Sequence, residues 1–190
     1  MNWDELVDAI NNCKKCPLHK TRKHAVVGEG PRDAKIMFIG EAPGREEDLT
    51  GRPFVGRAGK LLTESLSAVG IKREEVYIGN VVKCRPPNNR DPTEEEKALC
   101  SPWLDMQISL IKPRILVGLG RHSGAYLIDR YRLKGDVRSL RGRAERVSTL
   151  FGTLYIFITY HPAALLYNPG LKETFMEHLR EIKKLSEVVE

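Results

Sequence analysis

IMFIGEAPGREEDLTGRPFVGRAG, residues 36–59, is the stretch of sequence that decides the fold. It begins with a short run of apolar strand formers, which stops at Gly40. A long loop carrying Phe54 follows, and a helical pattern begins near Lys60. Open α/β sheets bind their ligands where a buried strand ends in such a loop, and ordered loops of about twenty residues are uncommon unless they have a function. The stretch therefore predicts a ligand pocket at the end of the first strand.

The rest of the chain alternates apolar runs with helical patterns. We predict strands at residues 34–41, 76–83, 114–120 and 154–160. Helical patterns occupy residues 3–10, 61–69, 93–112, 122–131 and 171–188. This alternation predicts the α/β class: a single-domain three-layer α/β/α sandwich over residues 1–190, with a mostly parallel four-stranded central sheet. The unusual sequence follows the first, second and fourth strands, so it should converge at one edge of the sheet.

Composition bounds the class of protein. The chain has 190 residues, of which 41% are hydrophobic and 29% charged, as in ordinary globular proteins. No apolar run approaches the ~20 residues that span a bilayer, and the acidic start is not that of a signal peptide, so we expect a cytoplasmic, intracellular protein. The net charge of +6 suits a polyanion such as nucleic acid, although many proteins of this charge bind none.

Four cysteines form a second pattern: Cys13, Cys16, Cys84 and Cys100. Disulfides are disfavoured because the chain has no secretory signal. Zinc ribbons usually present two closely spaced pairs, and here the second pair is spaced widely. An iron–sulfur cluster needs four thiolates and tolerates irregular spacing. The spacing favours such a cluster and leaves zinc, or four unrelated buried thiols, open.

Four further residues suggest a binding slot at the predicted sheet edge. Glu41, Asn80 and His161 lie at the ends of three different predicted strands. An Asn in an apolar buried strand needs partners for its amide, while Glu41 and His161 have ordinary structural explanations as well. Phe54 lies in a loop with little core to join. Together they describe a slot with an amide, a hydrogen-bond donor and an aromatic face, which suits a planar heterocycle.

Several segments resemble the signatures of one family. They are GEAPG at residues 40–44, GRPFVG at 51–56, NVVKCRPP at 80–87 and HPAALL at 161–166. Together with the cysteines, they are similar to the family four uracil-DNA glycosylases, the iron–sulfur type of thermophilic archaea and bacteria. The resemblance runs in order from Cys13 to Pro169. It implies an α/β/α sandwich, a DNA repair enzyme that excises uracil and leaves an abasic site, and a hydrolase acting on N-glycosyl bonds.

The resemblance also implies roles for residues around the base. The implied uracil-binding set is Gly40, Glu41, Ala42, Glu47, Phe54, Asn80 and His161. Phe54 would stack on the flipped base, and Asn80 would read its edge. His161, the first catalytic candidate, would donate to O2 of the departing uracil. Glu41, the second, would position water or hold the loop, since sister families carry an Asp where this chain has Ala42. Glu47 is implied to exclude thymine.

Further implied features concern the metal and the DNA. The four cysteines would bind a structural 4Fe–4S cluster that staples the N-terminal segment to the loop after the second strand. The implied DNA contacts are Arg85, Arg90, Leu165, Leu166 and Tyr167, with the last three entering the duplex. Whether the arginines of residues 138–146 bind phosphate is left open. We expect a monomer that acts on uracil-containing DNA and not at a membrane, and the sequence does not show whether a replication clamp binds it.

Two other classes of protein are compatible with parts of the pattern. A metal-stapled nucleic-acid-binding module would use the basic surface and the cysteines, but it would have no need of Asn80 and His161. A nucleotide-dependent redox protein would use a cluster for electron transfer. The first turn, from Gly40 to Gly44, lacks the G-x-G-x-x-G spacing of dinucleotide sites, so the redox class ranks last.

Overall fold

The structure is a computed structural model that describes residues 1–189. Its strands are β1 (Ile36–Gly40), β2 (Tyr77–Asn80), β3 (Ile115–Leu119), β4 (Ala144–Thr149) and β5 (Gly152–Thr159). Its α-helices are α1 (Trp3–Asn11), α2 (Arg45–Thr50), α3 (Arg57–Ala68), α4 (Glu94–Ile111), α5 (Arg121–Tyr131), α6 (Val137–Leu140), α7 (Pro162–Tyr167) and α8 (Lys172–Val188). Among the described helices, none combines the length and the apolar content that crossing a bilayer requires.

The strands form one sheet in the order β2-β1-β3-β5-β4. β2, β1, β3 and β5 are parallel, and β4 pairs antiparallel with β5. The predicted class and the mostly parallel sheet are confirmed. Gly40 is paired with Asn80, and Leu119 with Thr159, so the loops after β1, β2 and β5 leave from the same edge, as predicted.

The sheet has five strands where four were predicted. The missed strand, β4, lies within and beyond the arginine-rich segment, and its side chains alternate between exposed and half-buried positions. It is an edge strand, so neither face needs the continuous apolar run that marks the buried strands. Its charged sequence also suits an edge, because charges discourage pairing with another chain.

The core consists of two apolar layers, one on each face of the sheet. Met37 and Ile39 belong to one layer, together with residues of α1, α4 and α5. Ile36 and Phe38 belong to the other, which includes residues of α3 and α8. Successive strand residues point to opposite faces, and every residue of β1 is buried. The predicted three-layer sandwich is confirmed.

The helices differ from prediction mainly in the long loops. The capping box of Thr93 and Glu96 is present at the start of α4. Three short helices, α2, α6 and α7, were not predicted, because each has only four to six residues and too little length for a periodic pattern. α2 converts the acidic part of the first loop into an ordered turn beside the carboxyl edge of the sheet.

Candidate active site

A cavity of about 370 Å³ opens at the carboxyl edge of the sheet. Its lining includes six of the seven predicted uracil-binding residues: Glu41, Ala42, Glu47, Phe54, Asn80 and His161. The structure thus brings together residues that lie up to 120 positions apart in the sequence. The cavity also contains Pro86 and Asn89, from the proline-rich loop after β2.

The seventh residue, Gly40, lies directly behind the cavity. A Cβ at this position would overlap with the Asn80 amide oxygen and with the ring of Phe54. Asn80 ends β2 with only 2% of its surface exposed, and its Oδ1 has no hydrogen-bond partner among the described residues. Buried polar atoms are normally paired, so this oxygen is available to a ligand in the cavity.

His161 is held as a neutral hydrogen-bond donor. It is the N-cap of α7, where its Nδ1 accepts a hydrogen bond of 3.0 Å from the backbone N–H of Ala163. An imidazole that accepts at Nδ1 carries its proton on Nε2. Burial lowers the pKa of His161 to about 4, against an opposing effect of Glu47. At neutral pH the ring is therefore uncharged, with Nε2–H free to donate.

The Phe54 loop is strained and clamped. Phe54 has a positive φ of 49°, a conformation that costs energy in a residue with a side chain. Arg73 donates to its carbonyl oxygen at 2.6 Å and to Thr63 Oγ1 at 2.9 Å, and it also bonds the carbonyl of Pro53. Gly59 on α3 packs so closely that a Cβ would overlap with the Phe54 main chain.

These contacts set the angle of the aromatic face. The Phe54 ring centroid lies 5.5 Å from that of His161, with 30° between the ring planes. Sequence reasoning missed Arg73, because nothing in its local sequence marks a residue that acts on a loop 19 positions away.

The acidic run of the first loop binds main-chain amides. The carboxylate of Glu47 accepts from the backbone N–H groups of Gly44 at 3.0 Å, Val55 at 2.9 Å and Gly56 at 2.6 Å. Buried Asp48 accepts from the N–H of Lys23 at 2.8 Å. Glu47 and Asp48 therefore tie the loop to itself and to the N-terminal segment by accepting from backbone amides.

Glu41 lies in a charged cluster that the sequence did not reveal. Its carboxylate is 3.8 Å from His122 Nε2, which in turn is 3.5 Å from Asp91. Burial, followed by the negative charge of Asp91, raises the pKa of Glu41 to about 7. Lys97 approaches His122 Nδ1 at 3.1 Å, and Arg121 pairs with Asp91. Arg121 and Lys97 lower the pKa of Glu41 and so oppose part of this rise.

The four cysteines line a separate, small cavity behind β2, together with Arg22 and Trp103. All four are free thiols, and several receive hydrogen bonds. Arg22 donates to Cys84 Sγ at 3.3 Å, Trp103 Nε1 to Cys13 Sγ at 3.4 Å, and a backbone N–H to Cys100 Sγ at 3.2 Å. No three of these sulfurs lie within 4.8 Å of one another. The arrangement is a wide sulfur cage with donors directed at the sulfurs.

The predicted DNA contacts are placed unevenly. Tyr167 is 89% exposed and Leu166 37% exposed, whereas Leu165 is buried in the apolar layer of α3 and α8. Leu165 therefore has a packing role in α7, and its contact with DNA stays a prediction. Arg85 donates to Asn89 Oδ1 at 2.7 Å, and Arg90 forms two 2.8 Å bonds with Glu96 at the cavity rim.

The fold and the cavity define an α/β protein with a pocket of polar and aromatic side chains at the carboxyl edge of its sheet. Residues 27–183 match the family model for the uracil DNA glycosylase superfamily, and the chain belongs to that superfamily.

Several curated proteins are similar to this chain over most of its length. The type-4 uracil-DNA glycosylase of Saccharolobus solfataricus is 49% identical over 185 residues, covering 96% of this chain and 86% of that protein. The type-4 uracil-DNA glycosylase of Archaeoglobus fulgidus is 46% identical, covering 96% and 92%. That of Thermotoga maritima is also 46% identical, covering 93% and 90%.

Proposed function

We propose that this protein is a monofunctional uracil-DNA glycosylase. It flips uracil out of DNA and hydrolyses the N-glycosidic bond, leaving free uracil and an abasic site for base excision repair. One observation carries the proposal: the unpartnered amide oxygen of Asn80 and the neutral imidazole of His161 line the same buried cavity. Both are groups that a flat base with alternating donors and acceptors would satisfy.

Asn80 supplies the recognition of uracil. Its Oδ1 accepts the N3–H of the base, and its NH₂ donates to O4. Cytosine carries an acceptor at N3 and an amine at C4. Its N3 would therefore face the Asn80 oxygen, acceptor against acceptor, and its amine would face the Asn80 NH₂, donor against donor. A site built to hydrogen-bond a substrate discriminates strongly against an analogue that leaves its buried groups unpaired. Glu47, fixed by three amides beside the cavity, limits the space near C5 and so disfavours thymine.

His161 supplies the stabilisation of the leaving group. Cleavage of the glycosidic bond leaves positive charge on the sugar and negative charge on uracil. The Nε2–H of His161 donates to O2 as that charge develops, assisted by the backbone N–H groups at Glu41 and Ala42. A preorganised donor of this kind typically lowers the barrier by about 3 kcal/mol. Because the ring is neutral and fixed by its bond to Ala163, it needs no rearrangement during the reaction.

Glu41 prepares the attacking water. A group with a pKa of about 7 is a well-matched general base at neutral pH. Glu41, whose carboxylate belongs to a residue that lines the cavity, would deprotonate a water as that water attacks the sugar carbon. The alternative role left by the sequence, holding the loop, has less support, because the Glu41 main chain is already bonded to Val82 at 3.0 Å.

The base reaches the cavity by leaving the helix. An enzyme that acts on a base inside a duplex must extrude it, and the gap has to be filled. Tyr167 and Leu166 are the exposed apolar residues of α7, at the opposite end of the helix that His161 caps. They fill the gap, while Arg85 and Arg90 lie near the backbone phosphates.

Because its substrate is DNA, the enzyme acts inside the cell. It acts as a monomer with a single domain of residues 1–190.

The four cysteines hold a structural 4Fe–4S cluster. A zinc ion with sulfur ligands at about 2.3 Å would draw them to within about 3.8 Å of one another, and the cage observed here is wider. Donors directed at sulfur are typical of iron–sulfur sites, where such bonds adjust the cluster. When bound, the cluster cross-links the segment after α1 to the loop after β2 and to α4.

The test is excision from labelled DNA. A labelled oligonucleotide with one uracil is incubated with brown, folded protein, and abasic sites are then cleaved with alkali. Strand cleavage at the uracil is expected, with none in matched oligonucleotides that carry thymine or cytosine there. An Asn12→Ala protein, altered at an exposed Asn remote from the cavity, should behave like the wild type, and Asn80→Ala should not cleave. Binding of uracil DNA without any cleavage would instead identify a nucleic-acid-binding module.

A further inference from the structure

Lys83 is a buried lysine that makes no ion pair with a carboxylate. Its side chain is 1% exposed, and among the described residues the lysines that have a carboxylate within 4.0 Å are Lys97, Lys183 and Lys184, not Lys83. The Nζ donates to the carbonyl oxygen of Asn80 at 2.8 Å and to Gln107 Oε1 at 2.7 Å. Both acceptors are neutral. Burying an ammonium group without a counter-charge is costly, so its negative partner has to be found elsewhere.

The cysteine cage lies beside this lysine. Lys83 lines the cavity of the four cysteines, and its backbone N–H donates to Cys100 Sγ at 3.2 Å. Cys84 is the next residue. Thiolates bound to iron carry net negative charge, which a nearby buried cation would balance. The cage is thus the one concentration of negative charge that borders Lys83 in the described part of the chain.

The other contacts of Lys83 are rigidly held. Gln107 is fully buried, and its Nε2 donates to the carbonyl of Val27 at 2.8 Å and to the hydroxyl of Tyr77 at 3.0 Å. The amide that accepts from Lys83 is therefore fixed on its far side. The remaining bond, to the Asn80 carbonyl, adds a side-chain anchor to the pairing of Asn80 with Gly40 at the end of β2, and the Asn80 side chain is the base reader of the proposed function.

We infer that Lys83 is a positioning residue: its ammonium group, balanced by the cluster, holds the Asn80 main chain so that the amide meets uracil. This inference rests on the proposed function, because it requires both the cluster and a uracil-reading Asn80. It gives the cluster a role in substrate recognition besides cross-linking the chain. Without the cluster charge, the lysine would be an unbalanced buried cation, and the end of β2 would shift to solvate it.

The experiment compares iron-loaded wild type with Lys83→Met, which has a neutral side chain of similar length. The matched control is Lys35→Met: Lys35 Nζ also donates to two carbonyl oxygens, both at 3.1 Å, but it is exposed and remote from the cysteines. Three quantities are measured: iron content, the reduction potential of the cluster by spectroelectrochemistry, and affinity for free uracil. Uracil excision is followed with kcat separated from KM.

The inference predicts the direction in which each measured quantity changes. Removing a buried positive charge favours the oxidised cluster, so Lys83→Met should lower the reduction potential. It should also weaken uracil binding at least ten-fold and lower kcat more than it changes KM, at unchanged iron content. Lys35→Met should match the wild type throughout. An unchanged potential would overturn the charge balance, and unchanged uracil affinity would overturn the positioning of Asn80.

A second variant applies if Lys83→Met does not fold. Gln107→Glu keeps the bond to Lys83 and adds a negative charge, so it should lower the potential while retaining uracil affinity. An unshifted potential in this variant would overturn the inference. Wild type without iron would overturn the inference and the proposed cluster together. Iron-loaded wild type that excises uracil, combined with variants that match it, would overturn this inference alone.

Discussion

The cavity at the carboxyl edge of the sheet and the cysteine cage share one segment of chain, but their buried polar atoms differ in whether they have partners. Asn80 faces the cavity, and Cys84 faces the cage. In the cavity, a buried amide oxygen has no partner within the described residues. In the cage, guanidinium, indole and backbone N–H groups already point at the sulfurs. The first arrangement suits a neutral ligand that binds reversibly, and the second suits an anionic group that is bound permanently.

Their origins in the chain differ as well. The cavity is built from the ends of β1, β2 and β5, where parallel strands converge. The cage joins the segment after α1 to the loop after β2 and to the middle of α4, elements that the sheet alone would not bring together. Damage to the cage should therefore affect the whole molecule, and damage to the cavity should affect only the chemistry. The predictions below test this difference, beginning with the largest effect.

The largest effect is expected for Cys100→Ala. Metal binding at a structural site contributes directly to folding, so loss of one ligand should lower the free energy of unfolding by more than about 4 kcal/mol and weaken DNA binding. Thermal unfolding, iron content and DNA affinity measure these changes. Ser101→Ala, the next residue on α4, is the control. A Cys100→Ala protein with wild-type stability and DNA affinity would show that the cage is dispensable.

The next effect is confined to the cavity. His161→Ala should lower kcat by 100-fold or more, corresponding to about 3 kcal/mol of lost transition-state stabilisation. Affinity for uracil-containing DNA should change little, because the DNA contacts lie outside the ring. Single-turnover kinetics and a binding titration separate the two quantities. Full activity in this variant would refute the role assigned to the imidazole.

A smaller effect is expected from weakening the hydrogen bonds that hold the Phe54 loop beside the cavity. In Glu47→Gln one oxygen becomes an NH₂ group that faces backbone donors, so the Phe54 loop should lose about 2 kcal/mol of stability. The expected result is a higher KM for uracil-containing DNA and weaker discrimination against thymine, while the iron content is unchanged. Glu64→Gln, an exposed change on α3, serves for comparison. Wild-type KM and selectivity in Glu47→Gln would mean that the loop is held by Arg73 alone.

The smallest effect concerns pH. Because the pKa of Glu41 is raised from its ordinary value of 4.5 to about 7, its contribution to stability is present below pH 4.5 and is lost as the pH rises through 7. Glu41→Gln should therefore be more stable than wild type above pH 7, by about 1 kcal/mol after solvent screening, and equal to it near pH 4. Denaturant titrations at both pH values measure this.

The same variant should lose the acidic limb of the pH–rate profile. Wild-type activity should rise with pH through about 7, as Glu41 ionises. In Glu41→Gln the rate should be low and independent of pH in that range. An unchanged pH–rate profile would mean that a group other than Glu41 deprotonates the water.

The sequence predicted the residues that line the cavity better than the residues that hold them in place. Gly40 and Asn80 end strands and His161 follows β5 by two residues, and the apolar runs of these strands are clear, so the parallel topology brings all three to one edge. Arg73, Asp91 and His122 were missed, because each acts across loops whose path no local pattern specifies. β4 was missed since an edge strand lacks an apolar run, and the burial of Leu165 was not foreseen because α7 was not recognised as a helix.

The two glycines behind Phe54 limit how this site can change. Neither Gly40 nor Gly59 leaves room for even a methyl group, so a larger residue at either position would displace Phe54, and at Gly40 also Asn80, rather than reshape the slot. Variation in base preference has to arise at positions with space, such as half-buried Ala42. For evolution as for design, the accessible routes to a new substrate run along the first loop and not through the sheet.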